Sequence, residues 1–261
     1  MVGVENYTIC KVDSLEIKYI RECFTEDPKG TILFLNGWGG SSLSWKDNIA
    51  ELAKYYDCIA LDFPGFGVSE KPTDVWDVYK YADFLESFRK SLNLGKFILI
   101  GKSFGGRVAI VYAAKYGSVL DKLILVAAAG LEKKSIKARV MTFFARTIKV
   151  LFRFLDDKTF LQVKSYFYKI FRLEIEQNLY KRRIKSVIVG QDLSAEASGI
   201  ITPTLIVWGS EDKILPLKIG KLLSRKIRGS KLSIVQGADH FAQESHPEEF
   251  NHLLSDFLLS G

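Results

Sequence analysis

A serine, an aspartate and a histidine in this 261-residue chain stand where together they could move an acyl group. Ser103 lies in Gly101-Lys102-Ser103-Phe104-Gly105, between an apolar β-type run, Lys96–Ile100, and a helical pattern from Gly105 to Tyr116. On so tight a strand-to-helix turn the hydroxyl is pushed out of the sheet, and a Cβ at either flanking glycine would crowd the turn. A serine hydroxyl is a weak nucleophile at neutral pH and needs a base within hydrogen-bond reach. His240 follows a strand pattern at Lys231–Val235 and is the histidine at a strand exit; His246 and His252 fall on or near the last helical segment and read as surface residues. Asp212 follows the buried strand Pro203–Gly209 and is suited to orient His240 and stabilise its imidazolium. Of its rivals, Glu211 is one residue off register and Asp239 adjoins His240 and points elsewhere. Asp62 also ends a strand, but the Pro-Gly-Phe-Gly turn after it suggests a structural role.

The elements around these residues alternate. Tyr7 to Phe24 reads as two antiparallel strands about Asp13-Ser14, and strands at Thr31–Leu35, Cys58–Leu61 and Lys122–Ala127 are interleaved with helical patterns near Trp45–Tyr55 and Val78–Leu92. Such alternation predicts an α/β protein with a mostly parallel, doubly wound sheet of about eight strands, covered on both sides. The alternation stops at Gly130 and resumes at Ile201. The expected organisation is therefore a core that begins with residues 1–130, a helical cap over 131–200 inserted between strands six and seven, and a return to the core over 201–261. In the cap, Val140, Phe143, Phe144, Ile148, Leu151 and Leu155 share one helical face and Arg139, Arg146, Lys149 and Arg153 the opposite one; Phe160, Val163, Phe167, Ile170, Phe171 and Ile175 share a face of a second helix. From these, Phe143, Phe144, Phe167 and Phe171 are expected to line a pocket over Ser103. Gly101-Lys102-Ser103 also contains the G-K-S of a phosphate-binding loop, but Lys96 stands where that loop needs its first glycine, so the nucleotide-binding reading is discarded.

Five segments carry a resemblance to the α/β-hydrolases of the serine-nucleophile, cap-bearing, esterase-like branch, and it covers essentially the full length. They are Leu35-Asn36-Gly37-Trp38-Gly39-Gly40, Leu61–Ser69, the serine turn, Gly209–Pro216 and Gly237-Ala238-Asp239-His240. The order serine, aspartate, histidine is also that family's. The resemblance implies a nucleophile elbow at Ser103, an oxyanion hole from the backbone N–H groups of Trp38 and Phe104, and Gly37 beside the substrate. Asn36 stands where the family usually has histidine. The implied activity is hydrolysis of small carboxylic esters through an acyl-enzyme, with no cofactor and no metal. Alternatives on the same triad are lactone opening, C–C bond hydrolysis, or a lyase resembling SHCHC synthase. That lyase shares the Gly-Gly-Arg after the serine and would make Arg107 a carboxylate binder, whereas a structural reading has Arg107 tie helix to loop. A serine nucleophile separates the chain from the dehalogenase and epoxide-hydrolase branches, which attack with aspartate. Outside enzymes, the fold also serves as a slow-turnover ligand receptor.

Composition agrees with a folded protein, at 48% hydrophobic and 26% charged residues. The net charge of +7 is local: residues 131–200 carry 15 Lys and Arg against 7 Asp and Glu, and the remainder is close to neutral. That pattern argues against nucleic acid as a partner. It leaves weak contact of the basic cap with anionic membranes, or plain solvated charge, as its two readings. The partner expected is a small-molecule ester or lactone, and the protein itself a monomer or homodimer. The first residues lack a signal peptide's basic and apolar regions, and no run is long enough to span a bilayer. Cys10, Cys23 and Cys58 read as small buried hydrophobes in a reducing compartment, so the expected location is cytoplasmic.

Overall fold

A computed structural model describes residues 7–131 and 179–259. The eight strands are β1 (Thr8–Val12), β2 (Leu15–Glu22), β3 (Thr31–Leu35), β4 (Asp57–Leu61), β5 (Phe97–Lys102), β6 (Leu120–Val126), β7 (Thr204–Gly209) and β8 (Lys231–Val235). They form one sheet in the order β1-β2-β4-β3-β5-β6-β7-β8. β1 and β2 make a hairpin whose two turn residues, Asp13 and Ser14, both have positive φ, as the turn matched to strand twist requires. β2 is antiparallel to β4, and every pairing from β4 to β8 is parallel. Parallel strands buried on both faces read as unbroken apolar runs, which is what Ile32–Leu35 and Phe97–Ile100 are.

The described helices are α1 (Lys46–Leu52), α2 (Val78–Ser91), α3 (Phe104–Tyr116), α4 (Leu179–Ile188), α5 (Ser194–Gly199), α6 (Leu217–Lys226), α7 (Ala242–Ser245) and α8 (Pro247–Leu259). Alternation within each strand splits the core. Ile98 and Ile100 join Phe34, Trp45, Ile49, Val207, Val235, Phe250 and Leu254 in one cluster, beneath α1 and α8. α2 and α3 pack together on the sheet. Every residue of α3 from Phe104 to Ala113 is buried, as befits a helix that is almost wholly apolar there apart from Arg107. α2 starts where Asp77 accepts a hydrogen bond from Lys80 N–H at 2.9 Å, satisfying one of the orphan donors of the first turn.

Glu86 of α2 is buried and joins the two helices: it accepts from Arg89 at 2.8 and 2.9 Å and from the Tyr112 hydroxyl of α3 at 2.7 Å. The Arg89 hydrogen bond, with Tyr112 and nearby Arg89 and Lys90 charge adding to it, draws its carboxyl down from the ordinary 4.5 to about 2. A pKa depressed by folding contributes stability that is complete above the unfolded value and lost as pH falls through the folded one. Stability to urea is expected to decline between about pH 4.5 and 2, and Glu86→Gln removes that share of the decline. An unchanged slope in the variant excludes this network as its source.

By contact, the chain divides into two compact units, Met1–Glu132 with Gln191–Gly261, and Lys133–Gly190. The expected pocket residues Phe143, Phe144, Phe167 and Phe171, and the basic face with Arg139, Arg146, Lys149 and Arg153, lie outside the described residues. Of the second unit, α4 is described: Ile184 and Ile188 are buried while Arg182 and Arg183 are exposed. No helix among the described residues is long and apolar enough to cross a membrane. The cysteines are free, and Cys58 is buried as expected. Cys23 departs from its expectation, because it falls just beyond the end of β2 and is exposed.

Candidate active site

Ser103 occupies the turn between β5 and α3 with φ 50° and ψ −106°, a conformation that costs a residue with a Cβ on the order of 1–3 kcal/mol. The turn is held from several sides. Ser103 N–H donates to the Val126 carbonyl at 2.9 Å, and its own carbonyl accepts from Arg107 N–H at 3.0 Å and Ala129 N–H at 3.1 Å. The hydroxyl makes no capping bond to the helix it precedes, and the residue is half-buried. Gly105 follows because α3 enters against β3: a Cβ there would stand 2.6 Å from the Leu35 carbonyl oxygen and 2.7 Å from that of Asn36. Its N–H donates to the Asn36 carbonyl at 3.1 Å.

The loop after β3 is thereby brought to the elbow. A Cβ on Gly37 would lie 3.6 Å from Ser103 Cβ. Trp38 meets the Phe104 ring edge-on at 5.5 Å, and Phe63, Phe66 and Tyr81 close around that ring at 5.2–5.4 Å. Such aromatic pairs contribute roughly 0.5–1.5 kcal/mol each beyond their buried area, so the two expected oxyanion donors, Trp38 and Phe104, sit on a shared rigid cluster. As the first residue of α3, Phe104 has an N–H with no carbonyl inside the helix to meet. Asn36 is fully buried, with its Nδ2 donating to the Gly37 carbonyl at 3.3 Å.

Asp212 and His240 meet although 28 residues separate them: His240 Nδ1 lies 2.7 Å from Asp212 Oδ2, with both side chains buried. The loops that carry them pack closely, since Glu211 N–H donates to the Ala238 carbonyl at 2.9 Å and Ser210 N–H to the Val235 carbonyl at 3.0 Å. Asp212 Oδ1 accepts from the N–H groups of Ile214 and Leu215 at 2.8 and 2.7 Å, so the carboxylate is pinned at both oxygens. With a carboxylate at Nδ1, the imidazole keeps its proton there and presents a lone pair at Nε2. Glu211 is exposed, and Asp239 is exposed with its carboxylate turned to Phe241 N–H at 2.8 Å. Neither rival reaches the imidazole.

The β8 end and the β5 end are three strands apart in the sheet, yet they touch through the neighbours of His240 and Ser103. Lys102 Nζ stands 3.8 Å from the centre of the Phe241 ring. Sequence reasoning misses Lys102, which it meets only within a rejected phosphate-loop pattern. A signal is present: period-two alternation puts it on the same face as Ile98 and Ile100, and it is only 4% exposed. Arg107 is also buried, and its Nη1 donates to the Gln191 carbonyl at 2.9 Å, which ties helix to loop. Asp62 accepts from Ser42 N–H at 2.6 Å and Val68 N–H at 2.9 Å, and burial pushes its carboxyl above the usual range despite those bonds.

Residues 30–160 match the family model described as alpha/beta hydrolase fold. The chain is 30% identical over 248 residues to the AB hydrolase superfamily protein YisY of Bacillus subtilis (strain 168), covering 88% of this chain and 91% of that one. The chain belongs to the alpha/beta hydrolase superfamily. A further member, monoacylglycerol lipase abhd6-A of Xenopus laevis, is 25% identical over 256 residues, covering 89% of this chain and 76% of that protein. The enol-lactonase from Burkholderia xenovorans LB400 superposes with a TM-score of 0.75 at 21% identity, over 96% of this chain and 99% of that one, a likeness of fold. This alpha/beta hydrolase thus has the expected sheet and is a hydrolase.

Proposed function

We propose that this alpha/beta hydrolase cleaves small carboxylic esters through an acyl-enzyme, with Ser103 as nucleophile, His240 as base and Asp212 as the acid that orients it. The observation that carries the reading is the buried Asp212–His240 pair at 2.7 Å, one residue from a ring that rests on the neighbour of a strained serine. In the first half-reaction Ser103 Oγ attacks the ester carbonyl carbon and its proton passes to His240 Nε2. The oxyanion is met by the N–H groups of Trp38 and Phe104, each such donor being worth about 2.7–4 kcal/mol in the transition state. The C–O bond then breaks, and the imidazolium returns the proton to the departing alkoxide, releasing alcohol. In the second half-reaction a water adds to the acyl carbon, His240 again takes and returns one proton, and the carboxylic acid leaves Ser103 free.

Arg107 weighs between the alternatives. Its guanidinium is engaged by the Gln191 carbonyl inside the protein, which favours ester hydrolysis over a reaction needing Arg107 to hold a substrate carboxylate. Residues 131–200 are proposed as a helical cap whose Phe143, Phe144, Phe167 and Phe171 favour an apolar acyl group, and Gly37 is proposed beside the substrate. Short to medium acyl chains are then preferred over charged acids and bulky triglycerides. A panel of p-nitrophenyl esters of two to sixteen carbons tests this. Turnover that peaks at short or medium length is expected. A sharp rise in rate once substrate exceeds its solubility would overturn the acyl preference, and no turnover by a folded protein would overturn the ester reading. The Xenopus relative is named for a monoacylglycerol, which puts glycerol monoesters in the same panel.

A further inference from the structure

We infer that Lys102 is a positioning residue, a buried cation that clamps the loop bearing the base onto the strand bearing the nucleophile. This deepens the ester-hydrolase reading and rests on it for its consequence in catalysis. The side chain leaves the last residue of β5 between two partners, both contributed by the segment after His240. Its Nζ stands 3.8 Å from the centre of the Phe241 ring and 3.4 Å from Glu244 Oε1. The same Phe241 ring meets the His240 imidazole edge to face at 5.5 Å. One aromatic ring therefore touches both the cation next to Ser103 and the base itself.

The energetics favour this geometry over a chance contact. An ammonium at 4% exposure is costly unless paired, and a cation over an aromatic face gains more when water is excluded. From the β3 side the Asn36–Gly40 loop approaches the aliphatic stem, with a Cβ on Gly37 falling 3.8 Å from Lys102 Cδ, and that loop brings no titratable group. The charged groups that face the ammonium are Glu244 on α7, Asp239 in the loop after β8 and Asp212 after β7, with His240 beyond Phe241. Burial pushes the Lys102 ammonium below the usual lysine range against the pull of these carboxylates. Its proton, and with it the clamp, is lost at a lower pH than for a solvated lysine.

The test uses the full chain with Lys102→Met and Phe241→Leu, the second at a ring that is 41% exposed and so leaves folding intact. Hydrogen exchange of residues 236–246 is expected to quicken about tenfold in both variants and to stay unchanged in α2. On p-nitrophenyl butyrate, kcat falls about tenfold or more with KM within about twofold, because a slight misplacement of the base costs rate without binding. Wild type loses kcat in an alkaline limb below the ordinary lysine range, and Lys102→Met lacks that limb. Unchanged exchange in Phe241→Leu, or an alkaline limb that persists in Lys102→Met, overturns the clamp. A wild type with no ester turnover but with the exchange effect present sinks only the ester reading.

Discussion

Ser103→Ala lowers kcat for a p-nitrophenyl ester by about 10⁴-fold or more, while the protein keeps its fold. In the proposed mechanism the whole nucleophilic route passes through one oxygen, so His240 and the oxyanion donors would retain only their modest effect on water attack. The backbone adds a second expectation. Alanine keeps the Cβ and with it the strain at φ 50° and ψ −106°, so Ser103→Ala melts close to wild type. Glycine adopts that conformation freely. Ser103→Gly is equally inactive and gains the strain energy, roughly 1–3 kcal/mol, less the roughly 0.5–1 kcal/mol that glycine's extra freedom costs in the unfolded chain. The net is a stabilisation of about 1 kcal/mol, read as a higher urea midpoint. More than about one per cent of wild-type kcat in either variant would remove Ser103 from the mechanism, and a Ser103→Gly no more stable than Ser103→Ala would show the elbow to be unstrained.

Gly105→Ala is the second large effect, and it acts on the scaffold. The added Cβ would meet the Leu35 and Asn36 carbonyl oxygens at 2.6 and 2.7 Å and Leu35 Cβ at 2.7 Å. Two of these are backbone atoms of β3 and its exit, and β3 is hydrogen-bonded to β4 on one side and β5 on the other. The strand cannot yield without breaking both ladders, so α3 must lift, stretching the Gly105 N–H bond to Asn36. Destabilisation of about 3 kcal/mol or more is expected, at the upper end for overpacking. Activity should fall as well, since a lifted α3 carries Phe104 away from Trp38, which the Asn36–Gly40 loop holds. Gly95, where a Cβ meets nothing within 4 Å, is the control, and Gly95→Ala is expected to stay within about 0.5 kcal/mol. Equal effects at the two positions would show the α3–β3 approach to be loose.

Much of the fold is legible in the chain because each parallel strand announces itself locally. β3 and β8 begin and end where the sequence pattern places them, and the Asp13-Ser14 turn marks the first hairpin. The proposed catalytic residues Ser103, Asp212 and His240 are legible for the same reason, each standing just past such a strand. The reach of β5 is less so: the strand continues through Gly101 and Lys102, since ladder pairing to β6 outweighs the poor strand preference of glycine and lysine. The placing of β4 between β2 and β3 required the packed structure. Strand patterns and spacing placed a serine, an acid and a histidine past the C-terminal ends of three strands of a parallel sheet. Tertiary packing alone decided which oxygen meets Nδ1, which rings brace Trp38 against Phe104, and that Lys102 would be buried under Phe241. The physical reason is range: alternation and turn chemistry act over a few residues, whereas the Lys102–Phe241 and Asp212–His240 contacts join segments that only sheet order and loop packing bring together.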